Sequence, residues 1–260
     1  MNTIFSSQLF EGKVILITGA GGGVGRATAA LLSSLGASVV LADSKPDPLC
    51  AVAAQVGGFP ILADLRRASE CERIVAMTLE HYGQLDGLVN CAGVWVEGDS
   101  SLATEEDWAR CMDVNLKGSF FMCSRAIPAL KETRGAIVNI SSDAGVTGNA
   151  GAAIYCASKG GVTIMSKSLA IELAPFGIRV NALCPSDIMS PMLTFQAEKF
   201  GEGDPGSYFR KLLSNYPQGE QARFIEPAEV AQYIAYLLSP AGHAITGASV
   251  MMDFGVTSGY

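Results

Sequence analysis

A strand-like run, a glycine-rich turn and a helix-forming stretch follow one another without a break between Val14 and Leu32. Val14-Ile-Leu-Ile17 is apolar throughout, as suits a strand buried on both faces. It enters Thr18-Gly-Ala-Gly-Gly-Gly-Val-Gly25, and Ala27-Thr-Ala-Ala-Leu-Leu32 is rich in good helix formers. Such a succession sets exposed backbone N–H groups and a helix dipole against a pyrophosphate. Gly19 permits the tight turn, Gly23 lets a phosphate approach, and Gly25 allows helix and strand to pack closely. The alternative is a plain glycine-rich surface turn, which the apolar strand and the helix on either side argue against.

The next strand candidate, Ser38–Ala42, ends in Asp43. A carboxylate there can accept both adenosine-ribose hydroxyls of NAD and would repel the extra phosphate of NADP. No lysine or arginine lies within the glycine turn, which favours NAD, whereas nearby Lys45 pulls the other way. A helix N-cap or turn aspartate is the other role open to Asp43.

Further apolar strand candidates recur at Pro60–Ala63, Gly87–Asn90, Ala136–Ser141, Arg179–Cys184 and Ala248–Met252, with helical stretches between most of them. The alternation predicts an α/β chain: one domain over residues 1–260, with a doubly wound, seven-stranded parallel sheet and helices on both faces, as in a Rossmann fold. The segment 185–225 breaks the rhythm. It is rich in Met, Phe, Tyr, Gly and Pro and follows the carboxyl end of a strand, the edge where ligands bind in open α/β sheets. It reads as a substrate-binding lid or as an irregular helical excursion.

A second pattern lies downstream. Tyr155-Cys-Ala-Ser-Lys159 places a phenol and an ammonium one helical turn apart on the same face. A neighbouring cation favours the phenolate, and a hydroxyl such as Ser142 can hold a substrate oxygen against it. That is equipment for moving a proton on and off an alcohol or ketone, although YxxxK alone is weak evidence.

Only 17% of residues are charged and the net charge is -7, so no basic stripe exists to neutralise nucleic-acid phosphates. The seven cysteines have no CxxC spacing and read as reduced thiols, which points to the cytoplasm. Residues 1–10 show no secretory signal, and no stretch is long and apolar enough for a membrane span. His81 and His243 are too few and too isolated for a metal site or a Ser-His-Asp hydrolase.

Taken in order, these motifs resemble the short-chain dehydrogenase/reductase family over nearly the whole chain. Thr18–Gly25, including Val24, matches TGxxxGxG, and Asp64 with Leu65 beside it matches the acidic residue that meets the adenine ring. Asn90-Cys-Ala-Gly93 matches NNAG except at Cys91. Asn115, Ser142, Tyr155 and Lys159 fall on the catalytic tetrad. The usual PG, aliphatic, Thr pattern reads Pro185-Ser-Asp-Ile188-Met-Ser190 here, with Ser186 and Ser190 as departures. Ser186 could narrow the pocket beside the nicotinamide, while Ser190 keeps a hydroxyl for the cofactor.

The resemblance implies an NAD-dependent dehydrogenase of a secondary alcohol, reversible on the matching ketone. Tyr155 would be the acid or base. Lys159 would lower its pKa and hold the nicotinamide ribose, Ser142 would bind the substrate oxygen, and Asn115 would position a water. Trp95, Met189 and Met192, with Leu193, Phe195, Phe200, Tyr208 and Phe209, could line an apolar pocket for a small cyclic or hydrophobic substrate. They could equally be lid core or subunit interface. An NADPH-dependent ketoreductase and a non-catalytic NAD-sensing regulator are the competing readings. The family also implies a homotetramer or homodimer built on helices about Glu105–Lys131 and Ala152–Ala174, where Ala157, Gly160 and Gly161 would permit close approach between chains or within one.

Overall fold

The computed structural model describes residues 5–258, so the expected bounds of 1–260 run past it at both ends. Seven strands form one parallel sheet: β1 (Val14–Thr18), β2 (Ser38–Asp43), β3 (Phe59–Leu62), β4 (Gly87–Asn90), β5 (Ala136–Ile140), β6 (Arg179–Pro185) and β7 (Ser249–Met252). Their order is β3-β2-β1-β4-β5-β6-β7, and all six pairings are parallel. Every predicted strand is present, with ends within one residue of expectation.

Burial explains the sequence of each strand. β1 and β4 lie in the middle of the sheet, and each of their residues is buried. Only wholly apolar runs tolerate that on both faces. β3 is an edge strand with alternating exposure, and it accommodates Pro60, whose missing N–H would cost a ladder bond in a central strand.

Alternate strand residues feed two cores. Ile15 and Ile17 pack with Leu31, Leu32 and Leu35 of α1 (Gly23–Ser34) and with Val230, Ile234 and Leu237 of α9 (Pro227–Leu238). Val14 and Leu16 face the opposite way. They join Ile74 and Val75 of α3 (Ala68–Tyr82), Met122, Ala126 and Leu130 of α5 (Ser119–Thr133), and Leu169 and Leu173 of α6 (Ala153–Leu173). The chain is thus a single doubly wound α/β domain. Its winding reverses between β1 and β4, which opens a crevice at their carboxyl ends.

Two segments refine the sequence reading. The helix expected over Glu105–Lys131 is α4 (Glu105–Met112), one π-helical stretch over Asp113–Gly118, and then α5. The segment after β6 is a helical excursion, α7 (Pro191–Phe200) and α8 (Pro205–Leu213). Its two ends are tied by a bridge between Ile188 and Ile225, where Met189 N donates to Ile225 O at 2.9 Å and Ile225 N to Asp187 O at 3.0 Å. The remaining helix, α2, spans Pro46–Val56.

Candidate active site

The glycine turn builds a cradle at the mouth of the crevice. Gly22 caps α1 without any side-chain hydrogen bond, so the N–H groups of the first helical turn are left for an anion. Gly19 sits at φ +62°, and a Cβ there would lie 2.7 Å from the Ala92 backbone after β4. A Cβ on Gly23 would lie 2.9 Å from the Cβ of Ser190, and one on Gly25 would meet the Gly19–Ala20 backbone. Only glycines leave this space open, which fits a dinucleotide pyrophosphate. Val24 turns inward and packs on the core.

Asp43 closes the cradle at the end of β2. Its Oδ2 accepts from Gly21 N and its Oδ1 from Lys45 N, both at 2.9 Å. It is therefore a turn aspartate and also a carboxylate seated on the glycine turn. Asp64 is engaged differently: it accepts from the Arg66 guanidinium at 2.7 Å, which holds its carboxyl below the usual carboxylate range. Leu65 is buried beneath Gly118, where an added Cβ would lie 3.0 Å from the leucine Cβ.

Asn90 serves a buried polar row. It donates to Asn139 Oδ1 at 2.9 Å, and Asn139 donates to Ser166 Oγ at 2.9 Å, which links β4, β5 and α6. Gly93 lies over the lysine: a Cβ there would be 3.4 Å from both Asn115 Oδ1 and Lys159 Nζ. Ile188 pairs with Ile225 through its neighbours, so its own N–H and C=O bond to none of the described residues. Ser190 caps α7 by accepting from Leu193 N.

Ser142, Tyr155 and Lys159 come together where β5 meets α6. Ser142 lies two residues past the end of β5 and caps a 3-10 turn, Asp143–Gly145. Its Oγ accepts from Ala144 N at 3.1 Å and donates to Asp143 Oδ1 at 2.7 Å. Tyr155 and Lys159 are buried on α6, and Lys159 Nζ lies 5.8 Å from the tyrosine ring centre while donating to Ile140 O at 2.7 Å. Burial pushes the Tyr155 phenol up, against an opposing pull from the Ser142 hydroxyl and with Asp143 adding to the rise. The same burial pushes the Lys159 ammonium down to about 8. Burial is the largest influence on Tyr155 and favours its neutral phenol in the folded chain.

Asn115 sits in the π-helical stretch. Its Oδ1 accepts from Val94 N at 2.8 Å, and its Nδ2 donates to Val94 O and to Ser158 Oγ, each at 3.0 Å. It pins the loop after β4 to α6. Its carbonyl accepts from Ser119 Oγ at 2.7 Å.

Above Tyr155, the Trp95 ring lies 4.3 Å away and its Nε1 donates to Glu97 at 2.8 Å. Met189 instead lines a groove along α7 with Pro191, Thr194, Phe195 and Glu198, which includes neither Tyr155 nor Trp95. Met192 is half-buried at the start of α7. Ser186 does not stand free beside the site: Tyr216 donates to its Oγ at 3.0 Å. The sequence reading missed Glu97, Asp143, Asp187 and Tyr216. The available signal was an acidic residue following each of two strand ends, in Ser142-Asp143 and Ser186-Asp187. Among the described residues, no cluster of His, Cys, Asp or Glu is placed to hold a metal, and no helix is long and apolar enough to cross a membrane.

Comparison with known proteins agrees with this geometry. Residues 13–200 match the family model for short chain dehydrogenases. The chain is 38% identical over 252 residues to the 3-oxoacyl-(acyl-carrier-protein) reductase FabG of Thermotoga maritima, covering 95% of this chain and 98% of that protein. It is 35% identical to the meso-2,3-butanediol dehydrogenase of Serratia marcescens, covering 96% of each. The crystal structure of levodione reductase superposes with a TM-score of 0.92 at 28% identity, covering 96% of this chain and all of that one. The fold, the glycine cradle and these relatives lead to one conclusion: the chain belongs to the short-chain dehydrogenase/reductase family, oxidoreductases that use a nicotinamide cofactor on alcohols and ketones.

Proposed function

We propose that this protein is an NAD-dependent dehydrogenase of a small secondary alcohol, reversible on the matching ketone. The observation that carries the reading is the convergence of Ser142, Tyr155 and Lys159 beside a glycine cradle bearing the Asp43 carboxylate. A relative named for 2,3-butanediol supports a compact substrate. Tyr155 gives its proton to the carbonyl oxygen in reduction and takes the hydroxyl proton in oxidation. Ser142 holds the same oxygen, and the Lys159 ammonium favours the phenolate once the proton has left. The bound nicotinamide supplies or accepts the hydride. Asn115 holds Val94 and Ser158 in place behind them. The helices after β6 cover the substrate as a lid, and the enzyme works in the cytoplasm as a homotetramer.

Asp43 supports NAD because a second carboxylate-facing phosphate would be repelled. Lys45, whose backbone N–H donates to Asp43, favours an NADPH-dependent ketoreductase instead. A panel of secondary alcohols with NAD and with NADP, followed by absorbance of the reduced cofactor, distinguishes them. NAD is expected to give the higher kcat/KM, and Asp43→Ala to erase that preference. Tyr155→Phe is expected to lower kcat at least ~100-fold with cofactor binding retained; substantial turnover in that variant removes Tyr155 from the chemistry.

A further inference from the structure

One side-chain oxygen joins the ring above Tyr155 to the helices after β6. Glu97 Oε2 accepts from the Trp95 indole N–H at 2.8 Å and from the Tyr208 hydroxyl at 3.2 Å. The Trp95 ring lies 4.3 Å from that of Tyr155, tilted against it by 54°. Tyr208 belongs to α8, in the excursion after β6.

The two sides of this junction are held very differently. Glu97 stands on a fixed loop: Val96 before it is buried in one cluster with Ala144, Ala152 and Tyr155, and Gly98 after it donates to Gly151 O at 2.8 Å, just ahead of α6. The excursion is tied mainly at its root, by the Ile188–Ile225 bridge and by Ser186 N donating to Met252 O at 3.0 Å. Beyond that root, the side-chain hydrogen bonds of α7 and α8 stay within the excursion, except for the one from Tyr208 to Glu97 among the described residues. Tyr208 also has a second acceptor, Gln196 Oε1 of α7, at 3.4 Å. A hydroxyl carries one hydrogen, so it can leave Glu97 for Gln196 without becoming an unsatisfied donor. The bond to Glu97 can therefore open at little cost.

We propose that Glu97 is a positioning residue that acts through Trp95 and Tyr208: it holds the indole over Tyr155 and latches α8 to the same loop. The substrate pocket is then fully walled when Tyr208 is bonded to Glu97, and it opens when that hydrogen passes to Gln196. Because both donors share one oxygen, loss of the Glu97 side chain frees the indole and α8 together. The inference rests on the dehydrogenase reading above and deepens it by naming what closes the pocket.

The test uses the full-length protein with NAD and two probes, cyclohexanol and 2-butanol. Glu97→Ala is expected to lower kcat/KM at least ~10-fold, and Glu97→Gln, which keeps an acceptor oxygen, to recover most of it. Tyr208→Phe removes a single hydroxyl and is expected to raise KM about 10-fold with kcat changed less. Because Tyr208 acts through Glu97, the double variant is expected to lose no more than Glu97→Ala alone. A second readout is spectroscopic. In a Trp108→Phe background Trp95 is the remaining tryptophan. Glu97→Ala is expected to increase acrylamide quenching of its emission, and Glu97→Gln to leave it near the parent value. An unchanged KM in Tyr208→Phe, additive losses in the double variant, or unchanged quenching in Glu97→Ala overturns the latch. Should Glu97→Ala fail to fold, the KM of Tyr208→Phe decides. If neither probe is oxidised, the dehydrogenase reading fails by itself, and the quenching decides the latch.

Discussion

Lys159 carries its charge where the protein opposes it. It is 4% exposed, its ammonium finds one carbonyl, and burial holds its pKa near 8 against an ordinary 10.5. Below about pH 8 the native state bears the full cost of a buried cation. Between pH 8 and 10.5 the unfolded chain holds a proton the native chain has lost, so stability rises with pH across that window. A shift of this size corresponds to roughly 3 kcal/mol. Lys159→Met is therefore expected to be inactive yet more stable than the parent at pH 7, with the gain shrinking toward pH 10. Thermal midpoints of both proteins at the two pH values decide it; a gap that does not change with pH removes the ammonium as its source. The residue types and spacing of Ser142, Tyr155 and Lys159 were legible because they depend on one strand end and one helix turn. Asp143 was not, since its importance comes from a hydrogen bond to Ser142 and burial by distant segments.

At the level of elements, the loop after β5 is pressed against α6. A Cβ on Gly145 would lie 2.8 Å from the Lys159 backbone, which cannot yield. A Cβ on Gly161 would lie 2.7 Å from the tip of Leu116, a side chain that can move. Gly145→Ala is expected to cost about 1–3 kcal/mol and to lower activity by shifting Ser142, whereas Gly161→Ala should cost less than about 1 kcal/mol. Urea unfolding and kcat of the two variants measure this, and equal losses would contradict it. Gly161, read from sequence as permitting close helix approach, thus does so within the chain, against the π-helical stretch. That stretch was illegible because residues 105–131 have helical periodicity throughout. What diverts the helix is Asn115 reaching the backbone of Val94, a contact between segments far apart in sequence. The segment after β6 shows the reverse. Its weak periodicity concealed two short helices, which Ser190 and Asp204 cap.

Across the whole molecule, α6 leaves large apolar side chains outside. Ile164 is 63% exposed and Ile171, two turns on along the same face, is 79% exposed, with Phe120 of α5 also exposed. Apolar side chains this bare on neighbouring helices fit the proposed assembly through these elements. Replacing Ile164 and Ile171 together by aspartate is expected to reduce the oligomer to a smaller species in light scattering, with the monomer fold retained by circular dichroism. A wild-type protein that is already monomeric would end the tetramer reading.

The order of strands and helices, the glycine turn and the spacing of the proton-transfer residues followed from sequence alone. Each is written in a short stretch of chain whose periodicity or steric demand is local. That Asp143 would engage Ser142, and that burial would raise the Tyr155 pKa while lowering that of Lys159, only the tertiary structure decided. Electrostatic energies depend on the distances and solvent exclusion created by residues far apart in the chain, and no local pattern encodes those.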